Sequence, residues 1–203
     1  MLKNKEYLAK GKRSVVYKGL YQGKSAVMKI AKKGSPPNII KNETRWLKKL
    51  EKYAIGPKLY SEGKDYMICE FLEGKRIMDW LEEHNKKEIL QAIRVVLKQC
   101  MILDKLEVNK KELQRPTKHI IIGKKIKMID FERCKQTKSP KNVTQFCQFL
   151  TSSNMKKLLD KKNIHIDKKK VINILKDYKK EQNEKNFKKI LNYITYYKGT
   201  LIQ

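Results

Sequence analysis

A chain of 203 residues with 49 Lys and Arg against 21 Asp and Glu carries a formal charge of +28. At that length it can bury a real core, as one domain or as two small lobes around a cleft. Met1-Leu2-Lys3-Asn4-Lys5 lacks the apolar run of a signal peptide and no stretch approaches a membrane span, so a cytoplasmic protein without a membrane partner is expected.

Only six of the cations are Arg. Lys acts as a solvated point charge where Arg is suited to bidentate phosphate recognition. Much of the excess charge therefore reads as solvated surface, although a field of this size still attracts RNA, DNA or ribonucleoprotein. Cys69, Cys100, Cys134 and Cys147 share no C-x-x-C spacing and lie in or near apolar segments. Buried free thiols are expected rather than zinc ligands.

In chain order, residues 6–30 alternate in strand fashion around two glycine-containing turns. The strands are Tyr7-Leu8-Ala9, Val15-Val16-Tyr17-Lys18-Gly19 and Ala26-Val27-Met28-Lys29-Ile30. Gly34-Ser35-Pro36-Pro37 ends this segment, and a helix is predicted from about Asn38 to Lys52, with Ile39, Ile40, Trp46, Leu47 and Leu50 on one stripe. Beyond Gly56-Pro57, strands are predicted at Lys58–Ser61 and Tyr66–Phe71. The pattern turns helical after Gly74, with Trp80-Leu81 and then Ile89–Leu106. A hairpin follows: Ile120–Ile122, a turn at Gly123-Lys124-Lys125, and Ile126–Ile129. Helices are predicted at Asn142–Leu150, Lys169–Lys179 and Asn183–Tyr197. The fold class is α+β, with residues 1–73 as a sheet-rich part and 74–203 as a mostly helical part.

Three features carry chemistry. Asp130 stands just where the hairpin's second strand ends, a place from which an acid can hold a divalent cation against a phosphate. Gly11-Lys12-Arg13-Ser14-Val15-Val16 lies between two strands, with small residues that let backbone approach a phosphate and Val16 placed to cover a base; an ordinary hairpin turn has the same appearance. Lys29 closes an apolar strand and requires a partner. Glu43 lies four residues after Ile39 and four before Leu47, on the apolar stripe, where a carboxylate is costly unless paired; its alternative is to snorkel to water.

Taken in order, these residues resemble a small, divergent protein kinase of the atypical archaeal type, related to the RIO family and to the small kinases of tRNA-modification complexes. Ala26-Val27-Met28-Lys29 resembles the V-A-I-K strand, Cys69-Glu70-Phe71-Leu72-Glu73-Gly74 the hinge, and Met128-Ile129-Asp130-Phe131-Glu132 the D-F-G segment with Glu in place of Gly. The resemblance implies a two-lobed fold, a five-stranded sheet with one helix in the first lobe and a reduced helical second lobe. It implies ATP and Mg²⁺ as cofactors. Lys29, fixed by Glu43, would hold the α- and β-phosphates, Gly11 and Ser14 would cover them, and Val16 and Val27 would face the base. Backbone groups of Glu70 and Leu72 would bond adenine, and Asp130 would hold the metal.

The catalytic loop departs from the family pattern. Aligned on Ile120–Ile122, Lys110–Ile120 places Gln114 at the catalytic Asp and His119 at the metal-binding Asn. Aligned on the acidic-Leu pair, it places Glu112 at the base. His119 could ligate metal or be a satisfied histidine at a strand edge; Arg115 suits a phosphate contact and a structural ion pair equally. With about 70 residues after Phe131, the expected activity is ATP-dependent transfer to Ser or Thr of a specialised protein substrate. The alternative is an ATP-binding pseudokinase or ATPase serving as a scaffold on an RNA- or ribosome-associated complex.

Overall fold

The computed structural model describes residues 1–195, an α+β arrangement with an antiparallel amino-terminal sheet and, among those residues, seven α-helices. Two compact units are present among these residues: Met1–Lys75 with His119–Cys134, and Arg76–Lys118 with the described residues from Lys135 to Thr195.

The first unit is built on strands β1 (Lys3–Lys10), β2 (Ser14–Tyr21), β3 (Lys24–Ala31), β4 (Leu59–Glu62) and β5 (Tyr66–Glu70), ordered β1-β2-β3-β5-β4. Consecutive antiparallel pairing of β1, β2 and β3 follows from the short turns between them, Gly23 supplying the positive φ of 76° that the second turn needs. Helix α1 (Ile39–Leu50) packs on the sheet through Ile39, Ile40, Trp46, Leu47 and Leu50, all buried. The stripe works because these residues recur at helical spacing. Lys48 and Lys49 in its last turn suit the negative end of the helix dipole. Ala54 in the left-handed region, then Gly56-Pro57, prevents further propagation.

The hairpin of Ile120–Ile122 and Ile126–Met128 belongs to this unit, tied in by Met128 N donating to Ile55 O at 2.8 Å. It crosses the chain leaving β5 at very close range. A Cβ on Gly123 would stand 2.0 Å from Glu73 O, and one on Gly74 would stand 2.4 Å from Ile122 O, so both positions require glycine.

The second unit is helical. Helix α2 spans Ile77–Glu83, and α3 (Lys86–Lys105) begins at a capping box in which the Asn85 side chain accepts from Glu88 N and the Glu88 carboxylate accepts from Asn85 N. Helix α3 buries Ile89, Ile93, Val96, Leu97, Cys100 and Leu103. Helices α4 (Asn142–Leu150), α5 (Ser153–Lys161), α6 (Lys168–Lys180) and α7 (Glu184–Thr195) follow. Helix α7 covers the expected helix to Thr195; Tyr196 and Tyr197, its last expected residues, lie outside the described residues.

A buried polar network fastens this unit. Asp104 accepts from Asn142 N and Nδ2 at 2.9 and 2.7 Å, from Val143 N at 3.2 Å and from Tyr178 Oη at 2.9 Å. Asn142 in turn donates to Val108 O and accepts from Lys110 N, fixing the start of the loop that carries Glu112. A buried carboxylate is tolerable here because donors surround it. Burial raises its pKa above the usual carboxylate value, the donors opposing. All four cysteines are buried free thiols, as expected. Among the described residues no helix is long and apolar enough to cross a membrane.

Candidate functional site

The chemistry of the first unit gathers on Lys29. Its strand β3 pairs Lys29 with Val16 on β2 and with Met67 on β5, so its side chain leaves a sheet face also formed by Val27, Val16 and Cys69. Nζ donates to Glu43 Oε2 at 2.6 Å, to Asp130 Oδ1 at 2.9 Å and to Glu132 Oε2 at 3.4 Å. Lys29 is 8% exposed and Glu43 3%, so the Glu43 carboxylate is paired inside the core and does not snorkel. Its second oxygen accepts from Phe131 N at 3.2 Å. Phe131, fully buried, packs beside Gly56 and anchors the segment that presents Asp130.

Burial works to discharge Lys29, but the attraction of Glu43 and Asp130, the Glu43 hydrogen bond and the charge of Glu132 outweigh it and hold its pKa above the ordinary value. Glu43 is pushed up, by burial first and by Asp130, with Lys29 and the Phe131 amide opposing. The two partners thus differ: the ammonium holds its charge more firmly while the carboxylate holds its own less firmly. We take the ammonium as fixed, because one cation is shared by three carboxylates.

Asp130 has φ 66°, a left-handed backbone rare for a non-glycine residue. Two ties keep it there, the Phe131 amide on Glu43 and Ile129 N donating to His119 O at 2.9 Å. His119 Nε2 lies 3.6 Å from Asp130 Oδ2, beyond hydrogen-bond range, and its Nδ1 is buried with no hydrogen-bond partner among the described residues. Ligand oxygens of Glu43, Asp130 and Glu132 all lie within 4.8 Å of one another. An all-oxygen carboxylate set of this kind suits a hard cation such as Mg²⁺.

The structure adds residues that sequence reasoning passed over. Glu132 joins the cluster, and its other oxygen accepts from Arg13 Nη1 at 3.2 Å. Asn42 Nδ2 donates to Glu132 O at 2.6 Å and to Cys134 O at 3.2 Å, and Trp46 Nε1 also donates to Cys134 O at 3.0 Å. One helix thereby fixes the chain on both sides of Arg133.

The remaining expected positions divide between the units. Gly11 and Ser14 bracket the β1–β2 turn, where Gly11 N donates to Ser14 O at 2.9 Å. The Lys32 ammonium holds Gly11 O, and Ser35 Oγ donates to Arg13 O at 2.7 Å. A Cβ at Gly11 would meet nothing closer than 3.6 Å, so the fold alone does not demand glycine there. The Glu70 amide is spent on Lys58 O and the Phe71 amide on Ser25 O, which puts Leu72 just past the sheet ladder. Glu112 lies in the helical unit, on a 3₁₀ turn at Lys111–Gln114, 3.5 Å from Lys110 Nζ. Gln114 and Arg115 line a cavity of about 790 Å³ in that unit, beside Met78, Phe149 and Lys168.

The fold and site define an α+β protein with a buried lysine–carboxylate centre in its sheet-rich unit. No protein-family model matches the chain. Over 114 residues it is 32% identical to an uncharacterized protein, MJ1211, of Methanocaldococcus jannaschii, a stretch that takes in 55% of this chain and 98% of that protein. The chain belongs to the same family as that protein.

Proposed function

We propose that the protein is an ATP-dependent phosphotransferase of the protein-kinase-like, two-lobed type, acting on Ser or Thr of a protein substrate. The observation that carries this reading is the convergence on Lys29 of Glu43 from α1 at 2.6 Å and Asp130 from the end of the hairpin at 2.9 Å. Lysine on the third strand, glutamate on the following helix and aspartate before Phe are the arrangement that phosphoryl transfer from ATP uses.

In this reading Lys29 receives the α- and β-phosphates, and Glu43 keeps its ammonium aimed and charged. Asp130 is the residue that would hold Mg²⁺, with oxygens of Glu132 and Glu43 close by and His119 beside it. Held there, the ion would supply positive charge to neutralise the phosphates. Gly11 and Ser14 offer backbone to the phosphates, Val16 and Val27 bound the base, and Glu70 and Leu72 supply backbone groups to adenine. Glu112 orients the acceptor hydroxyl. Transfer of this kind depends mainly on positioning and charge, so replacing Lys29 or Asp130 removes on the order of a hundredfold of the rate or more.

A second reading, an ATP-binding pseudokinase or ATPase scaffold on an RNA- or ribosome-associated complex, draws on Glu112. Its side chain is 7% exposed and faces the fully buried Lys110, an environment that restrains a general base. Mg-ATP melting shifts and γ-labelled phosphate transfer, measured on wild type, Asp130→Ala and Glu112→Ala, separate the cases. Transfer lost in both variants supports the kinase reading. A melting shift in wild type with no transfer selects the scaffold, and no shift with Mg-ATP at all eliminates both.

A further inference from the structure

The sheet face opposite Lys29 has no part in that chemistry, and it is paved with tyrosine. Tyr7 pairs with Tyr17, Tyr17 with Met28 and Met28 with Ile68, so these side chains share a face. Counting by twos along the strands adds Tyr21 and Tyr66. Tyr60, beside the irregularity in β4, stacks on Tyr21 with ring centroids 6.1 Å apart and planes at 10°. Tyr7 is 64% exposed and meets the Tyr17 ring edge-on at 6.3 Å.

Lysines attend these rings. Lys5 Nζ stands 3.8 Å from the Tyr17 centroid and Lys24 Nζ 5.9 Å from that of Tyr60. Residues 3–24 hold seven Lys and Arg against the single acid Glu6, although Arg13 turns to Glu132 and Lys18, paired with Val27, lies on the Lys29 face. Glu70 also belongs to the face, but its carboxylate accepts from Lys58 N at 3.1 Å and lies 3.8 Å from Lys127 Nζ.

We propose that this face binds single-stranded RNA, bases stacking on the tyrosines and phosphates meeting the lysines. The inference does not rest on the phosphotransferase reading. Flat rings set in a rigid sheet, with cations among them, are what an unpaired strand requires, since every base has a π-face and every linkage a charge. Tyr17 and Tyr21 stand about 13 Å apart along their strand, with the Leu2 side chain over Gly19 between them. The lysines over the rings are displaced easily, because an exposed cation–π contact is weaker than a stacked base. Every ring at these positions is tyrosine rather than phenylalanine, which supplies hydroxyls able to bond the ribose 2′-OH.

The difficulty for any test is that a chain at +28 binds all polyanions. The decisive variable is therefore the ring and not the charge. Fluorescence anisotropy is measured at 0.15 M salt with labelled 12-nucleotide oligouridylate, the matching oligodeoxythymidylate and a 12-base-pair duplex. Wild type is expected to favour the oligouridylate over both. Tyr7→Ala combined with Tyr21→Ala is expected to weaken that binding by tenfold or more, since each stacked base is worth roughly fivefold to a hundredfold. Tyr7→Phe with Tyr21→Phe keeps the rings and should stay within about threefold of wild type. Melting temperatures confirm folding, and Tyr7→Ala alone, at so exposed a position, serves if the pair unfolds. Alanine variants that bind as tightly as wild type overturn the proposal, as does a duplex or DNA strand bound equally well.

Discussion

Replacing Lys29 with Met isolates the charge at the centre of the site, because the methionine stem fills nearly the same volume while the ammonium is lost. The change strands Glu43, 3% exposed, against the carboxylates of Asp130 and Glu132, whose oxygens lie within 4.8 Å. Removing one partner of a buried pair costs about 3–5 kcal/mol. Asp130, with a third of its side chain exposed, can turn to water, and Glu132 keeps Arg13, so the lower end of that range, about 3 kcal/mol, is expected at pH 7. The second substitution, Glu43→Leu, removes the stranded charge. It should restore part of the loss, leaving about 1–2 kcal/mol for the hydrogen bond that the Phe131 amide made to Glu43. Urea unfolding of wild type and both variants measures this. The pH dependence follows from the raised Lys29 pKa. Its stabilisation is complete below about 10.5, where an unfolded lysine titrates, and is lost as pH rises through the higher folded value. The gap between wild type and Lys29→Met should therefore close in strong alkali. It should also narrow in acid, as the stranded Glu43 takes up a proton. A Lys29→Met variant within about 1 kcal/mol of wild type at pH 7, or a double variant weaker than the single, would refute the reasoning.

Two further outcomes concern the rest of the core. Tyr178→Phe removes one donor from the buried Asp104 carboxylate, a 2.9 Å bond, and is expected to cost about 1.5–3 kcal/mol in urea unfolding; a cost near zero would mean that water or a neighbour replaces the hydroxyl freely. The thiols should be inert in the native state. Burial, with a smaller push from Glu43, takes the Cys69 thiol up to about 12, and burial also raises Cys100 and Cys147. At pH 8 an aromatic disulfide reagent should leave native protein untouched and titrate all four thiols in urea. A thiol that reacts within seconds in native protein would contradict the packing around it.

Lys29 and Glu43 were legible because each breaks a local pattern, a cation closing an apolar strand and an acid on an apolar helical stripe, and such exceptions need partners. The helix boundaries came within a few residues wherever apolar spacing was strong, as in Asn142–Leu150, which agrees at both ends. Helix α5 had no such signal. Residues 151–154 are Thr, Ser, Ser and Asn, a loop-like cluster, and only Met155 and Leu159 are buried in the helix they start. Glu132 and Arg13 were invisible for another reason. Each is a charged residue beside a turn or strand end, where solvated side chains are the rule, and their pairing spans 119 residues of sequence. The hairpin also meets the sheet-rich unit at the crossing of Gly74 and Gly123, a contact between two glycines that no periodicity announces.

Glu132 matters more than its place in the sequence suggests. Three carboxylates gather at this centre with the cations of Lys29 and Arg13 among them, and the His119 ring lies 3.6 Å from Asp130. Burial and the charge of Asp130 make Glu43 easier to protonate, against the pull of Lys29. A bound divalent cation would add two positive charges to this acidic cluster and leave room for an anionic ligand. Arg13 adds a mechanical consequence. It sits between Gly11 and Ser14, and its pair with Glu132 at 3.2 Å fastens the β1–β2 turn to the segment carrying Asp130. Arg13 is one-third exposed, so the pair contributes little to stability. Its effect is on position: the pair links the turn proposed to cover the phosphates to the segment whose aspartate is proposed to hold the metal.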